Sequence, residues 1–263
     1  MTNISKSSAG PNTLRLTPMQ RILVLANLPA RMAKMRRHDF FSVLEAIFYI
    51  VKTGCQWNML PEGFPPYQSV YHHFRSWTAA GWMETLLKVL VEGRRGALGD
   101  EPGPKTGIID SQSVRSCLPQ SEKGIDGHKR IKGIKRSVMA DSHGWPMAAV
   151  AATANTQDSK AAIPLIAKAK TLYPDLCDLK ADKGYAGSLQ RILPECLGLE
   201  IQCVKSNFGT PDFIPLEGRW VVEALFSWLS NYRRLPRNYE KYLDTARGMT
   251  LIACVMFMLR FFR

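Results

Sequence analysis

Apolar positions recur at helical spacing through the first third of the chain and then change period. Residues 40–53, FFSVLEAIFYIVKT, predict a strongly apolar helix, with Gly54 placed to end it. Thr17-Pro18 predicts a helix start, with Thr as the cap and Pro at the first helical position. Ser69 is placed to cap a helix carrying Val70, Tyr71, Phe74 and Trp77, and a further helix carries Trp82, Leu86, Leu87 and Leu90. Residues 93–105, GRRGALGDEPGPK, have the composition of a linker. Beyond it the pattern predicts strands over 106–114, 135–141 and 146–153. The Ser142-His143-Gly144-Trp145 turn joins the second and third. Helices are expected over 158–172 and 187–196, alternating with strands over 176–182 and 199–205. Leu216 to Tyr242 predicts a last amphipathic segment, with Val222, Leu225, Phe226, Leu229 and Tyr232 on one face. Glu223, Ser227, Ser230 and Arg234 form a polar stripe beside it.

The expected organisation is therefore an α/β (α+β) chain in four parts. Residues 1–17 form a disordered tail, 18–92 a small all-helical domain, 93–105 a linker and 106–263 a mixed-sheet domain. Three strands pair as an antiparallel meander, and the later two return through helices, parallel to the first. Helices 42–53 and 69–80 form a candidate helix-turn-helix pair, although their connection is longer than the usual tight turn.

Charge sharpens this picture. The chain has 263 residues, with 35 Lys and Arg against 22 Asp and Glu, a formal net charge of +13. That excess points to a polyanionic partner, nucleic acid first and an anionic membrane second. The longest apolar run, Met249 to Leu259, is too short to span a bilayer, and the N-terminus has no apolar signal region. The six cysteines form no CxxC pair and no Cys/His cluster, which fits a reducing cytoplasmic setting. Nucleic acid is thus the favoured partner.

Candidate chemistry lies in the carboxylates. Asp110 and Asp182 sit near the carboxyl ends of strands that the topology makes neighbours, where ligands bind in open α/β sheets. An Asp inside an apolar strand is costly unless paired or bound to a cation. Glu223, early on its helix, is placed to close a third side. Three carboxylates without His or Cys are hard oxygen donors suited to Mg²⁺ or Mn²⁺. Asp126, Asp141 and Asp158 read as loop, turn and cap residues. Adjacent on a helix, His72 and His73 diverge and read as surface residues. Trp220 and Trp228 read as core, and Trp145 either wedges against a ligand or packs on its own sheet.

RWVVEALFSWLSNYRRLPRNYEKY resembles the C-terminal signature of bacterial insertion-sequence transposases of the insertion-sequence-five type. GIIDSQSVRS and LKADKGYAGS resemble that family's two aspartate motifs, and GIDGHKRIKGIKRSVMADSHGWP its basic loop and hairpin. TGCQWNMLP with FPPYQSVYHHFRSW resembles its N-terminal helical domain. The resemblance runs over roughly residues 18–242. It implies an RNase H-like catalytic domain whose DDE triad is Asp110, Asp182 and Glu223, holding two Mg²⁺ or Mn²⁺ ions. It implies cleavage of transposon ends and their joining to target DNA. Double-stranded DNA is then the partner, both terminal inverted repeats and target, with a homo-oligomer, expected to be a dimer, assembled on it in the bacterial cytoplasm. Lys129, Arg130, Lys132, Lys135, Arg136, Arg233, Arg234 and Arg237 are the expected phosphate contacts. Arg219 is either a further phosphate contact or an anchor for the helix start. Ala224, Leu216 and Ser230 depart from the family's usual Arg, Tyr and basic residue. These departures keep two other readings open: a transposase-derived DNA-binding repressor and a nuclease without strand transfer.

Overall fold

The computed structural model describes residues 15–33, 37–204 and 220–263. Thr17 caps helix α1 (Pro18–Ala26) in a capping box: its hydroxyl accepts from the Gln20 N–H, and the Gln20 side chain returns to the Thr17 N–H. The expected tail therefore ends earlier than the sequence suggests. Leu16 is buried and its N–H donates to Glu45, while residues 1–14 lie outside the described residues.

After the short α2 (Ala30–Ala33) comes α3 (Phe40–Thr53), capped by Asp39, which accepts from the Ser42 N–H. Gly54 ends α3 at φ 73°, in the left-handed region that favours glycine. A Cβ there would also stand 3.0 Å from the Arg233 carbonyl carbon and oxygen. Gly54→Ala is expected to cost about 1–3 kcal/mol from backbone strain and this contact. A thermal melt followed by circular dichroism should show Tm lower by several degrees.

Helices α4 (Tyr67–Ala79) and α5 (Trp82–Ala97) complete the helical region. α5 extends into the expected linker, because Arg95 is pinned: it donates to Asp141 at 2.8 Å and to the Glu101 carbonyl. The helix-turn-helix reading fails on burial. α3 buries Phe40, Phe41, Val43 to Phe48, Ile50 and Val51, so it is a central core helix with little face left for a groove.

The sheet follows from alternation. β1 (Thr106–Arg115), β3 (Ile131–Ala140) and β4 (Pro146–Thr153) form the antiparallel meander. A short β2 (Gly124–Asp126), absent from the sequence reading, pairs with the first residues of β3. After α6 (Asp158–Leu172), β5 (Asp178–Asp182) lies parallel to β1. After α7 (Ser188–Leu197), β6 (Glu200–Val204) lies parallel to β5. The strand order is β2-β3-β1-β5-β6, with β4 also on β3. Four antiparallel strands, two parallel ones and helices on both faces make this an RNase H-like fold preceded by helices.

Successive β1 residues face opposite cores. Ile109 joins Met139, Leu165, Ile166 and Leu193 under α6 and α7. Ile108 joins Val138 and Ala149 beneath α8 (Trp220–Ser230) and α9 (Leu243–Leu259). That second cluster continues into α3, α4 and α5, so the helical region shares its core with the sheet. α9 contains the expected buried run Met249–Leu259. Among the described residues no helix is long and apolar enough to cross a membrane.

Candidate active site

Asp110 and Asp182 meet through register. β1 pairs with β5 as Ile108↔Lys180, so two residues further on Asp110 stands beside Asp182, midway along β1 rather than at its expected carboxyl end and at the last residue of β5. Each is half-buried, and each has one oxygen fixed by backbone. Asp110 Oδ1 accepts from the Ser111 N–H, and Asp182 Oδ1 accepts from the Gly184 N–H, both at 2.8 Å. Asp182 thereby caps the single 3₁₀ turn Lys183–Tyr185.

Behind this pair is a polar cluster that the sequence did not disclose. Ser111 points to the opposite face from Asp110, and its hydroxyl donates to Asp158 Oδ1 at 2.6 Å. The same oxygen receives the Lys135 ammonium at 2.8 Å, and Lys135 also donates to the Thr156 carbonyl at 2.7 Å. Asp158 Oδ2 and Asp182 Oδ1 both lie within 4 Å of the point where a Gly184 Cβ would be. Asp158 is thus the acid expected in the first turn of α6, but it also joins β1, β3 and α6 behind the aspartates. Tyr185 is buried beside them. Burial, and next the Asp158, Asp110 and Asp182 carboxylates, push its hydroxyl well above the usual phenol range. That hydroxyl makes no well-formed hydrogen bond, although Ser111 stands close enough to offset part of the shift. Only the motif residues Asp110 and Asp182 carried a sequence signal. The Lys135–Asp158 tie spans two elements and leaves no local pattern.

Glu223 comes to the site from the other side of β1. Val221, Val222, Leu225 and Leu229 seat α8 on the sheet, leaving Glu223 exposed. Phe226 and Ser230 follow Glu223 at i+3 and i+7, so the three share a side of the helix. Phe226 and Ser230 line a cavity of about 170 Å³ with Gln112 and Arg136. Gln112 shares a face of β1 with Asp110 by alternation, so Glu223 and Asp110 stand on facing sides of one α8–β1 contact. Among the described residues, no three His, Cys, Asp or Glu side chains converge tightly enough for a metal cluster. The two aspartates are brought together, and Glu223 stands on the adjoining element.

The expected phosphate contacts divide sharply. Lys129, Arg130 and Lys132 are exposed on the β2–β3 turn. Asp126 holds that turn, accepting from the His128 and Lys129 N–H groups and from the Ser113 hydroxyl at 2.6 Å. The Lys129 N–H and then Ser113 hold the Asp126 carboxyl below the usual carboxylate range. Arg233 and Arg237 are also exposed. Lys135, Arg136 and Arg234 are buried, which corrects their reading as surface contacts. Lys135 is paired with Asp158, Arg136 donates to the Leu235 carbonyl, and Arg234 Nε and Nη2 both reach Glu240 Oε1. The helix itself stops at Ser230, and Asn231–Tyr242 is irregular, because Pro236 cannot continue a helix. Arg219 and Leu216 lie outside the described residues.

The remaining candidates resolve as follows. Asp141 is fully buried in the β3–β4 turn, accepting from the His143 and Trp145 N–H groups and pairing with Arg95. Trp145 packs on the sheet, with His143 stacked on it at 4.5 Å between ring centroids. His72 is exposed and His73 half-buried. Trp220 and Trp228 are not core residues: they are 60% and 46% exposed. Helical phase turns Trp228, five residues beyond Glu223, to a different flank of α8, whereas Trp220 lies one turn before Glu223.

Residues 101–208, holding both aspartates, match the family model described as "Transposase DDE domain". Residues 20–87 match the model described as "Putative transposase of IS4/5 family". The fold, the paired aspartates and these two matches agree on one class. The chain belongs to the insertion-sequence transposases of the DDE superfamily. A Burkholderia cepacia protein named "Putative transposase for insertion sequence element IS402" is 27% identical to it over 135 residues. That alignment covers 47% of this chain and 62% of that protein, so the chain spans less than two thirds of its relative's length. Both family matches end before α8. Glu223 therefore rests on its motif and its position across β1.

Proposed function

We propose that this chain cuts DNA at the ends of its own element and joins the freed ends to target DNA, with Asp110, Asp182 and Glu223 as the catalytic carboxylates. The observation that carries the reading is the register of β1 and β5, which, continued by two residues, brings Asp110 in mid-β1 beside Asp182 at the end of β5. The three side chains would hold Mg²⁺ or Mn²⁺, two ions in all, and the donor set fits hard cations because it is oxygen throughout. Such ions, when bound, supply a Lewis acid for the phosphoryl oxygen and a nucleophile at neutral pH.

The rest of the chemistry belongs to the chain's own groups. The Ser111 and Gly184 N–H groups orient one oxygen of each aspartate. Lys135 and Asp158 neutralise each other behind the site, so the Asp158 carboxylate adds little net repulsion. Lys129, Arg130 and Lys132 on their turn, with Arg233 and Arg237, track phosphates. They make binding salt-dependent without reading sequence. Arg219 is a further phosphate contact or an anchor of α8. The assembly acting on the two element ends is a dimer.

Incubating the protein with Mn²⁺, labelled element ends and a target plasmid is expected to give nicked ends and then joined product. Nicking without joining favours a nuclease. Binding without nicking favours a DNA-binding repressor, a reading that Ala224 beside Glu223 keeps in view.

A further inference from the structure

A cavity lined by unspent positive charge lies along a flank of α8, outside the aspartate site. It occupies about 810 Å³ where the chain before α1, the end of α3, the end of α8 and the end of α9 meet. That volume is in the range of ligand-binding cavities. Arg15, Lys52, Arg260 and Arg263 line it, with no Asp or Glu among the lining residues. None of the four is in an ion pair among the described residues. Four converging cations repel one another, and an anion entering the cavity relieves that repulsion.

Its walls are aromatic as well as basic. Arg260 sits 4.9 Å over the Trp228 ring and Lys52 sits 5.1 Å over the Tyr232 ring. Trp228 nevertheless stays 46% exposed. Trp228 and Arg260 also line a neighbouring cavity of about 300 Å³ that reaches Trp220 and Phe261. Trp220, Ala224 and Trp228 recur at i, i+4 and i+8, so the two cavities follow one flank of α8 for about 12 Å. Cations grouped about one exposed ring, Trp228, suit a strand that alternates phosphates and bases. A duplex hides its base faces in the stack, whereas an unpaired segment offers them. Residues 1–14, which lead into Arg15, contain one Lys and no acid, so they do not complement the charge.

We propose that this flank of α8 is a binding site for single-stranded nucleic acid, with phosphates on Arg15, Lys52, Arg260 and Arg263 and a base stacked on Trp228. The proposal rests on the reading of the chain as a DNA-processing protein. It adds a place, on the back of the helix bearing Glu223, for a strand separated during cutting or joining.

Fluorescence anisotropy of the full chain with labelled oligo(dT) and with a labelled duplex tests it. Trp228→Ala is expected to weaken oligo(dT) binding by about tenfold, the scale of one lost base–aromatic stack. Trp228→Phe, which keeps a ring, should restore most of that loss, and duplex affinity should change less than twofold. Lys52→Ala with Arg260→Ala should reduce the salt dependence of oligo(dT) binding by about 1.4 in the log–log slope, two single-strand phosphate contacts. Circular dichroism melts show whether each variant is folded. Variants that bind oligo(dT) like the wild type overturn the site, as do variants that lose oligo(dT) and duplex equally. A wild-type chain that binds neither probe overturns the DNA-processing reading itself.

Discussion

Asp110→Asn is expected to reduce strand cleavage on the order of a thousandfold or more, the scale of deleting one principal charge-stabilising group, and to leave DNA binding intact. The substitution keeps the shape of the side chain and an oxygen able to accept from the Ser111 N–H, so the local backbone bond at 2.8 Å survives. It removes one of the two charges by which the paired aspartates would hold hard cations under the proposed function. Fewer negative charges beside a polyanion cannot weaken binding through repulsion, so duplex affinity should hold or rise slightly. Nicking of a labelled element end in Mn²⁺, with anisotropy on the same DNA, measures both quantities. Cleavage at the wild-type rate would sink the assignment of Asp110. Loss of cleavage and binding together would mean that the variant disturbs β1 rather than the chemistry.

That experiment bears on the part of the site that was legible in advance. Asp110 and Asp182 could be singled out because each interrupts an apolar strand, and the expected topology made those strands neighbours. The β1–β5 register then gives the side-by-side placement. Glu223 was legible as a carboxylate on the polar side of an amphipathic helix. The cations around it were not. Lys135, Arg136 and Arg234 read from sequence as parts of basic runs, but a run shows only charge, and burial depends on which strand or loop covers it. Lys135 is covered because Asp158 and Thr156 come back over β3 from the start of α6. The tryptophans err the other way. Trp220 and Trp228 look like core by residue type, yet the phase of α8 is set by Val221, Val222, Leu225 and Leu229, and that phase turns both rings outward.

The same lesson changes the meaning of the basic tail behind Glu223. Residues 231–242 form a clamp anchored by the buried Tyr232, Arg234, Leu235, Asn238 and Glu240, with exposed cations at Arg233, Arg237 and Lys241. The Arg233 and Arg234 N–H groups donate to the Lys52 and Val51 carbonyls at the end of α3, and Arg234 Nη1 donates to the Cys55 carbonyl. Asn238 pairs with the end of β1, accepting from the Cys117 N–H and donating to the Arg115 carbonyl. The clamp thus fixes α8 relative both to the helical region and to the strand of Asp110. The departure Ser230 falls at the last residue of α8, one turn before this clamp, and its hydroxyl is used locally on the Ser227 carbonyl.

Arg234→Met should therefore be among the most destabilising substitutions in the chain. Arg234 and Glu240 are both about 95% buried, and the guanidinium donors Nε and Nη2 meet one carboxylate oxygen at 3.0 and 2.7 Å. Burial pushes the Glu240 carboxyl above the usual carboxylate range, against the pull of Arg234 and then Arg136, while burial also lowers Arg136 to about 10. Removing Arg234 leaves a buried carboxylate with its main counter-charge gone, which costs about 3–5 kcal/mol. Tm should fall by roughly ten degrees or more. The pH dependence has a definite sign. A carboxyl whose folded pKa lies above its unfolded value binds more protons in the folded state, so its penalty grows as pH rises through that window. The deficit of Arg234→Met should accordingly be largest at neutral pH and shrink as the pH is lowered and Glu240 takes up its proton. Arg234→Met combined with Glu240→Leu, which removes both charges, should recover most of the stability. Melting the single and double variants across pH separates the outcomes. A single variant as stable as the wild type would show that the pair contributes nothing to the clamp. A double variant no better than the single would show that the loss comes from the side-chain contact to the Cys55 carbonyl rather than from the stranded charge.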